Sequence, residues 1–410
     1  MKKIFPRINL RMGAFVILTI LVFFGLLAYR GNPQKVYKNF ERYADQIVKK
    51  CSSAAHHQSC YDKEVPNLMD NPANLAMEET FHVTRLIQEK DSSFPYCHVL
   101  GHNLSAKEVK KDPSKWKEVL SRCPSGVCSN GCIHGGFQER FRAESFTDEQ
   151  VEDIKPDLMS ICEKRSNWNP TGLEQASCYH ALGHLTMYIT DAEIKNSIKL
   201  CGEIAVKKDG RSFLQVCLDG VFMQIYQPLE PEDFALIAGK EVTRDQVDSF
   251  CANYSRFAKA SCLSESWPLY RQDIMNSPDE LIRFCSKEET ENQPRCFEGL
   301  FYVLTAQFNF DMERIKNYCL ALPKDLKGKC FANAATRLIE TDYRNTVKST
   351  KLCSSGDASD QEECFSELIK YSTYNFHVGS PQFLKLCNGL PDPWKDKCLN
   401  YPHKRTSQMI

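Results

Sequence analysis

The sequence predicts an all-α protein: an α-solenoid of disulfide-stapled helix pairs, with a period of about 34 residues, behind one N-terminal transmembrane helix. Three observations predict it. The last ten of the 20 cysteines recur in evenly spaced pairs, apolar residues after each pair follow a helical period, and an uncharged apolar segment stands near the N-terminus. A fixed period of roughly 20 to 50 residues is typical of solenoids and repeat arrays.

The first element is the segment from Met12 to Tyr29, which carries no charged side chain. As a helix, its 18 residues would extend roughly 27 Å, just enough to cross the hydrocarbon core of a bilayer. Only basic charges precede it, so the positive-inside rule places residues 1–11 in the cytoplasm and the rest of the chain outside it. The alternative is a signal peptide cleaved after Ala28, although Leu26 then stands where a small residue is preferred.

This interpretation divides the chain into six parts. They are a cytoplasmic tail (1–11), a transmembrane anchor (12–29), a linker with an outlying first helical unit (30–90), His/Cys-rich helical repeats (91–200), regular 34-residue repeats (201–402) and a tail (403–410). We expect a single-pass membrane protein whose bulk is periplasmic, lumenal or extracellular. Without the four basic residues of the tail, 48 basic side chains face 52 acidic ones, which argues against a nucleic-acid partner.

Ten cysteines define the repeat, since the two members of each pair are 11 residues apart and successive pairs are displaced by 34. These pairs are Cys251 with Cys262, Cys285 with Cys296, Cys319 with Cys330, Cys353 with Cys364, and Cys387 with Cys398. Two earlier pairs, Cys162 with Cys178 and Cys201 with Cys217, are 16 residues apart. In an exported protein these pairs predict disulfides, because zinc sites prefer cysteines with only about two to four residues between them.

The six remaining cysteines are Cys51, Cys60, Cys97, Cys123, Cys128 and Cys132. The first two fit an outlying first unit. Among the other four, the repeat register pairs Cys123 with Cys132. Cys97 and Cys128 then either pair with each other or stay reduced, since four cysteines allow three pairings.

Each repeat contains two helices joined near the disulfide. After Cys296, the apolar residues Phe297, Leu300, Phe301 and Leu304 have the i, i+3, i+4, i+7 spacing of a helix face. The first cysteine of a pair then lies near the end of one helix and the second at the start of the next. Over roughly residues 160–400 this arrangement resembles the tetratricopeptide and Sel1-like α-solenoids, some of which are cysteine-stapled. The resemblance implies architecture alone, because the tetratricopeptide pattern of Trp, Leu-Gly, Tyr and Pro is missing.

Histidines cluster in the N-terminal half, and two segments there share the form His-x-x-Gly-His. The candidate metal ligands are His98, His102, His134, His180 and His184. Two histidines four residues apart share one side of a helix and can bind one metal ion. The second position after the helix-starting cysteine points away from the apolar face, and it carries His134, His180, Asp219 and Glu298. In three of these repeats a glycine follows (Gly135, Gly220 and Gly299), which would let a neighbouring helix or a ligand approach closely.

Two functions are compatible with these patterns. The first is a binding or scaffolding module that presents its concave face to a protein or peptide, with the histidines as groove lining. The alternative is a metal-binding protein or a metal-dependent enzyme, in which the histidine cluster binds zinc or copper. Glu139, one helical turn after His134, would then be a candidate base. The sequence assigns no other catalytic residue, and whether the protein is an enzyme stays open at this point.

Overall fold

A computed structural model describes residues 33–94, 96–124, 127–141, 146–229 and 231–401. In these ranges the chain is helical, and its only β-type pairings are two isolated bridges. The helices of the N-terminal half are α1 (Pro33–Cys51), α2 (His57–Glu64), α3 (Met77–Lys90), α4 (His98–Lys111), α5 (Trp116–Ser121), α6 (Gly131–Phe141), α7 (Asp148–Ile161), α8 (Gly172–Ile189), α9 (Ile194–Ala205) and α10 (Leu214–Tyr226).

The C-terminal half continues with helix pairs in which, except for the last pair, the first helix is shorter than the second. They are α11 (Pro231–Leu236), α12 (Val247–Cys251), α13 (Arg256–Glu265), α14 (Arg271–Asn276), α15 (Pro278–Cys285), α16 (Gln293–Gln307), α17 (Met312–Leu320), α18 (Lys324–Thr341), α19 (Thr346–Cys353), α20 (Ala358–Asn375), α21 (Pro381–Asn388) and α22 (Trp394–Leu399). Short 3₁₀ turns cover Val65–Met69, Pro113–Lys115, Cys128–Asn130, Trp267–Tyr270 and Tyr343–Asn345.

Disulfides join the two helices of each pair at their connection. The seven pairs expected from the spacing are all disulfides, each with Cα atoms 5.3–5.8 Å apart. Cys162 is bonded to Cys178, Cys201 to Cys217, Cys251 to Cys262, Cys285 to Cys296, Cys319 to Cys330, Cys353 to Cys364, and Cys387 to Cys398. The predicted pairing of these 14 cysteines is therefore confirmed.

The irregular cysteines also pair. Cys51 is bonded to Cys60, Cys97 to Cys128, and Cys123 to Cys132. All 20 cysteines are therefore oxidised, and the alternative of reduced Cys97 and Cys128 is wrong.

Amphipathic spacing accounts for the core. In α16, Leu300, Phe301 and Leu304 are buried and Phe297 is partly buried.

Local capping fixes where the helices begin. At the start of α8, the Thr171 side chain accepts from the Glu174 backbone N–H at 3.2 Å, and the Glu174 carboxylate accepts from the Thr171 N–H at 2.8 Å. This reciprocal cap satisfies two of the N–H groups that a helix start leaves without partners.

The inner wall of the fold is made by the second helices of successive pairs, which pack side by side. Helices α4, α6, α8, α10 and α13 form one series, and α16, α18 and α20 form another. The chain then turns back on itself, because α20 contacts α8 and α18 contacts the 3₁₀ turn Cys128–Asn130. The repeats thus wrap around their own inner face, and late repeats reach the histidine-rich early ones.

The predicted membrane anchor requires a correction, and with it the prediction of a single-pass membrane protein. Among the residues that the structure describes, no helix is both long enough and apolar enough to cross a bilayer. The longest of them, α1 with 19 residues, carries charged side chains along its length. Residues 12–29, on which the prediction depended, lie outside the described ranges, as do both predicted tails. The all-helical, disulfide-stapled part of the predicted fold is confirmed, and its disulfides indicate an oxidising extracytoplasmic compartment.

Candidate metal centre

Two histidine pairs, one on α4 and one on α8, form the centre of the site. His98 is the first residue of α4 and His102 follows one turn later, so their Nε2 atoms lie 3.1 Å apart. His180 and His184 have the same relation on α8, with Nε2 atoms 3.2 Å apart. The four-residue spacing therefore brings the imidazole nitrogens of each pair within metal-bridging distance, as the sequence predicts.

Glycines allow the helices that carry these pairs to approach their neighbours. A Cβ added to Gly135 on α6 would lie 2.2 Å from the carbonyl oxygen of His102, and one added to Gly220 on α10 would lie 2.1 Å from that of His180. No side chain fits at such distances, so α6 packs on α4, and α10 on α8, backbone against backbone. Gly299 differs, since its Cβ would meet open space. The predicted close approach thus holds at two of the three positions.

His134 lies between the two pairs. Its ring centroid is 5.1 Å from that of His98 and 5.4 Å from that of His102. On its other side the centroids of His180 and His184 are 5.5 and 5.9 Å away. All five predicted histidines therefore form one cluster. Three of these histidines, His98, His102 and His134, each offer one ring nitrogen, and the three nitrogens lie within 4.8 Å of one another. These three side chains could therefore hold a metal ion.

The residues that share the second position of their repeats have different surroundings. Asp219 is buried and accepts from the Ser261 hydroxyl at 2.7 Å. It also forms an ion pair with Arg295 on α16. Glu298 is exposed. The polar residues at this second position therefore face the interior in the early repeats and solvent in the repeat of Glu298. They do not line one continuous groove.

Backbone carbonyls orient His98. Its Nδ1 lies 3.3 Å from the carbonyl oxygen of Cys128 and 3.2 Å from that of Ser129. A carbonyl only accepts hydrogen bonds, so Nδ1 carries the proton and Nε2 keeps the lone pair that a metal needs. The Cys97–Cys128 disulfide fixes this turn to the start of α4. Cys97 directly precedes His98, and the carbonyl of Cys128 accepts the hydrogen bond from His98.

Burial keeps the cluster neutral. It lowers the pKa of His98 to about 4, with the nearby Arg337 guanidinium adding to the effect. Burial likewise lowers the pKa of His180 to about 3 and that of His134 well below its usual value. The pKa of His184 is lowered for the same reason. At neutral pH these four rings are therefore unprotonated, which is the form of imidazole that binds metals.

A cavity of about 40 Å³ opens beside the cluster, large enough for one or more water molecules. The sixth position after the helix-starting cysteine contributes to its wall in three repeats, through Gln138, His184 and Met223. Glu139, the predicted candidate base, is not among the residues that line it, because the neighbouring Gln138 occupies that side of α6.

Asp233 is the carboxylate that the sequence analysis missed. It is buried in the cavity wall, accepts from the Leu229 N–H at 2.9 Å, and accepts a hydrogen bond from the Tyr188 hydroxyl. Gln138 Nε2 lies 3.4 Å from it. Asp233 belongs to the short helix α11, outside the cysteine register, so no periodic signal could have pointed to it.

The C-terminal repeats supply the outer layer of the site. The Tyr96 ring stacks on His98 with 5.9 Å between centroids, and the Arg337 guanidinium of α18 lies 5.5 Å from the centroid of Tyr96. Arg337 is buried and pairs with Glu340 at 3.1 Å. The turn of the repeats therefore places a buried ion pair from α18 behind the first histidine of the cluster.

Comparison of the chain with protein-family models, characterised proteins and solved structures finds no match. The architecture of stapled helix pairs is thus seen directly in the structure, while membership of the tetratricopeptide or Sel1-like families has no support beyond that architecture.

Proposed function

We propose that this protein binds one transition-metal ion, zinc or copper, through His98, His102 and His134, in an oxidising compartment outside the cytoplasm. The observation that carries the proposal is the convergence of three imidazoles, from two helices, with ligand atoms within 4.8 Å of one another. The ten disulfides support the compartment, because such bonds persist where thiols are not kept reduced.

The spacing of the nitrogens suits a metal ion. Two nitrogen ligands at about 2.0–2.1 Å from a tetrahedral zinc ion are about 3.3 Å apart. The Nε2 atoms of His98 and His102 are 3.1 Å apart, so only a small ring movement separates the structure from that geometry. The Nδ1 hydrogen bonds of His98 further support a metal-binding role, since metal-ligating histidines ordinarily donate their other N–H to an oxygen.

Three protein ligands leave a coordination position free, and a zinc ion held in this way supplies Lewis-acid chemistry. The free position would face the cavity, whose wall carries Asp233, Gln138 and Tyr188. These groups can accept or donate hydrogen bonds to a small polar molecule. They support a site open to exchange or to chemistry, in contrast to a closed structural site with four protein ligands.

The binding or scaffolding module stays a prediction, with a protein or peptide as its partner. One observation bears on it. Because α8 and α20 contact each other, the chain itself covers part of the inner face that such a partner would use. Metal binding, by contrast, is supported by three histidine side chains whose ligand atoms already lie close together.

Elemental analysis tests the proposal. The full chain, exported into an oxidising compartment and purified without a histidine tag, should contain at least about one zinc or copper per molecule. His102→Ala should contain about one metal ion fewer than the unaltered protein, whereas His56→Ala, which removes an exposed histidine outside the cluster, should retain the full content. Circular dichroism and a free-thiol count would verify that each variant folds. A metal content well below one in the unaltered protein, or equal content in both variants, would refute the proposal.

A further inference from the structure

A second set of donor atoms converges on the far side of His134. The Nε2 atom of His180 lies 3.2 Å from Nε2 of His184 and 3.3 Å from Sδ of Met223. Met223 follows its helix-starting cysteine by six residues, as His184 follows its own, so the two side chains come from equivalent positions of α8 and α10. The close packing at Gly220 brings them together.

The hydrogen bonds of the two rings direct their lone pairs into this space. His184 Nδ1 lies 2.8 Å from Oε1 of Gln224, which accepts its proton. The backbone carbonyl of Val216 lies near His180 and acts to raise its pKa, and Nε2 of His180 faces His184 and Met223, so we assign the contact with that carbonyl to Nδ1. Both Nε2 atoms therefore carry lone pairs that face each other at 3.2 Å. Lone pairs at such a distance repel unless a cation lies between them.

The chemistry of the donors selects the cation. A thioether is a soft, uncharged ligand that favours copper(I), whereas zinc sites use thiolate, imidazole and carboxylate. The set contains two imidazoles, one thioether and no negative charge, which suits a singly charged soft ion. We propose that His180, His184 and Met223 form a copper(I) site, distinct from the site of His98, His102 and His134. The proposal does not require a metal at the latter site.

The two sites differ in ways that an experiment can separate. Both sites border the cavity, but the three-histidine site offers nitrogen ligands alone. The proposed copper site is the one that includes sulfur, and the ring of His134 lies between it and the α4 histidines. Zinc should therefore compete for the first site and leave the second available.

The test is a titration of the metal-free full chain with copper(I), without oxygen, against a coloured copper(I) chelator and with zinc in excess. We expect one copper(I) per chain to be taken from the chelator, and X-ray absorption at the copper edge to show a sulfur neighbour. Met223→Leu keeps the volume and should weaken binding at least about tenfold, with loss of the sulfur signal. Met187→Leu, at a buried methionine of α8 outside the cavity wall, should change neither.

A double variant separates this proposal from the function proposed above. Replacing both His98 and His102 by alanine should abolish zinc binding and leave copper(I) binding within about twofold. The copper site is refuted if the unaltered protein takes no copper(I), if its bound copper has no sulfur neighbour, or if Met223→Leu binds as the unaltered protein does. The sulfur signal is read on the unaltered protein, so the test holds even if a variant fails to fold.

Discussion

The imidazole of His377 donates a hydrogen bond from Nε2 to the backbone carbonyl of Asn169, 208 residues earlier in the chain, at 2.8 Å. His377 follows α20 and Asn169 precedes α8, so the bond lies where the last repeats meet the early ones. Gly172, at the start of α8, makes the contact possible, because a Cβ there would lie 2.3 Å from Cδ2 of Tyr374. The closure of the repeats therefore depends on specific contacts between distant parts of the chain.

The buried ion pair of α18 should be important for stability. Arg337→Met leaves the Glu340 carboxylate buried without its charged partner, with the Tyr302 hydroxyl still donating to it, so we expect a loss of about 3–5 kcal/mol in the free energy of unfolding. Adding Glu340→Gln to Arg337→Met should reduce that loss, since no isolated charge then stays buried. Urea unfolding measures both. Arg283→Met removes an exposed pair of the same i, i+3 spacing and should cost at most about 0.5 kcal/mol; an equal loss at both positions would contradict this account.

The glycines of the inner helices can be tested against each other. Gly135→Ala forces α6 away from α4, so we expect it to destabilise the protein by about 1–3 kcal/mol and to lower the metal content. Gly299→Ala adds a methyl group where there is space, and should stabilise α16 by about 0.5–1 kcal/mol. Thermal unfolding and elemental analysis of the two variants measure the difference. Equal tolerance of both substitutions would show that the backbones are not in close contact.

Glu288 should make stability depend on pH. Burial raises its pKa to about 7, with smaller opposing effects from the Ser264 hydroxyl and Arg295. The folded protein then holds a proton that the unfolded chain releases near pH 4.3. Its contribution to stability is therefore full below about pH 4.3 and is lost as the pH rises to about 7. Urea midpoints between pH 4 and 8 should fall less steeply in Glu288→Gln than in the unaltered protein, while Glu291→Gln, at a nearby exposed carboxylate that does not act on Glu288, should keep the original slope.

Loss of different disulfides should affect the metal content of the protein differently. Replacing Cys319 and Cys330 by serine opens one regular staple and should cost roughly 3 kcal/mol of stability without changing metal content. Replacing Cys97 and Cys128 should cost a similar amount and also lower metal content, because that bond holds the carbonyls that orient His98. Parallel denaturation and elemental analysis separate the two effects. If both pairs affect the metal equally, orientation by the disulfide is not what prepares the site.

The periodic features of the sequence predicted the periodic features of the structure. Cysteine spacing predicted the helix pairs, and four-residue spacing predicted the facing of His98 with His102. The sixth position after the helix-starting cysteine would also have indicated Met223, had soft sulfur ligands been considered alongside the histidines. These features depend on local geometry, which a period of 3.6 residues per turn describes.

Asp233 and Arg337 could not be predicted in this way. Arg337 reaches the site because α18 contacts the early turn Cys128–Asn130, and no single repeat encodes a contact between such distant repeats. Asp233 belongs to a short helix outside the cysteine register. The membrane anchor was predicted from hydropathy alone, and the helices of the described chain include none that could span a bilayer.

The interleaving of Cys97–Cys128 with Cys123–Cys132 has a consequence for how the protein matures. Eight of the ten disulfides join cysteines that are neighbours in order along the chain, so pairing each thiol with the next to be translocated yields the native bond. Among these four interleaved cysteines the same rule would join Cys97 to Cys123, which is non-native. Thiol–disulfide exchange must then occur before His98 acquires its final orientation. A cell deficient in disulfide isomerase would therefore accumulate a protein with intact C-terminal repeats and an unfinished histidine cluster.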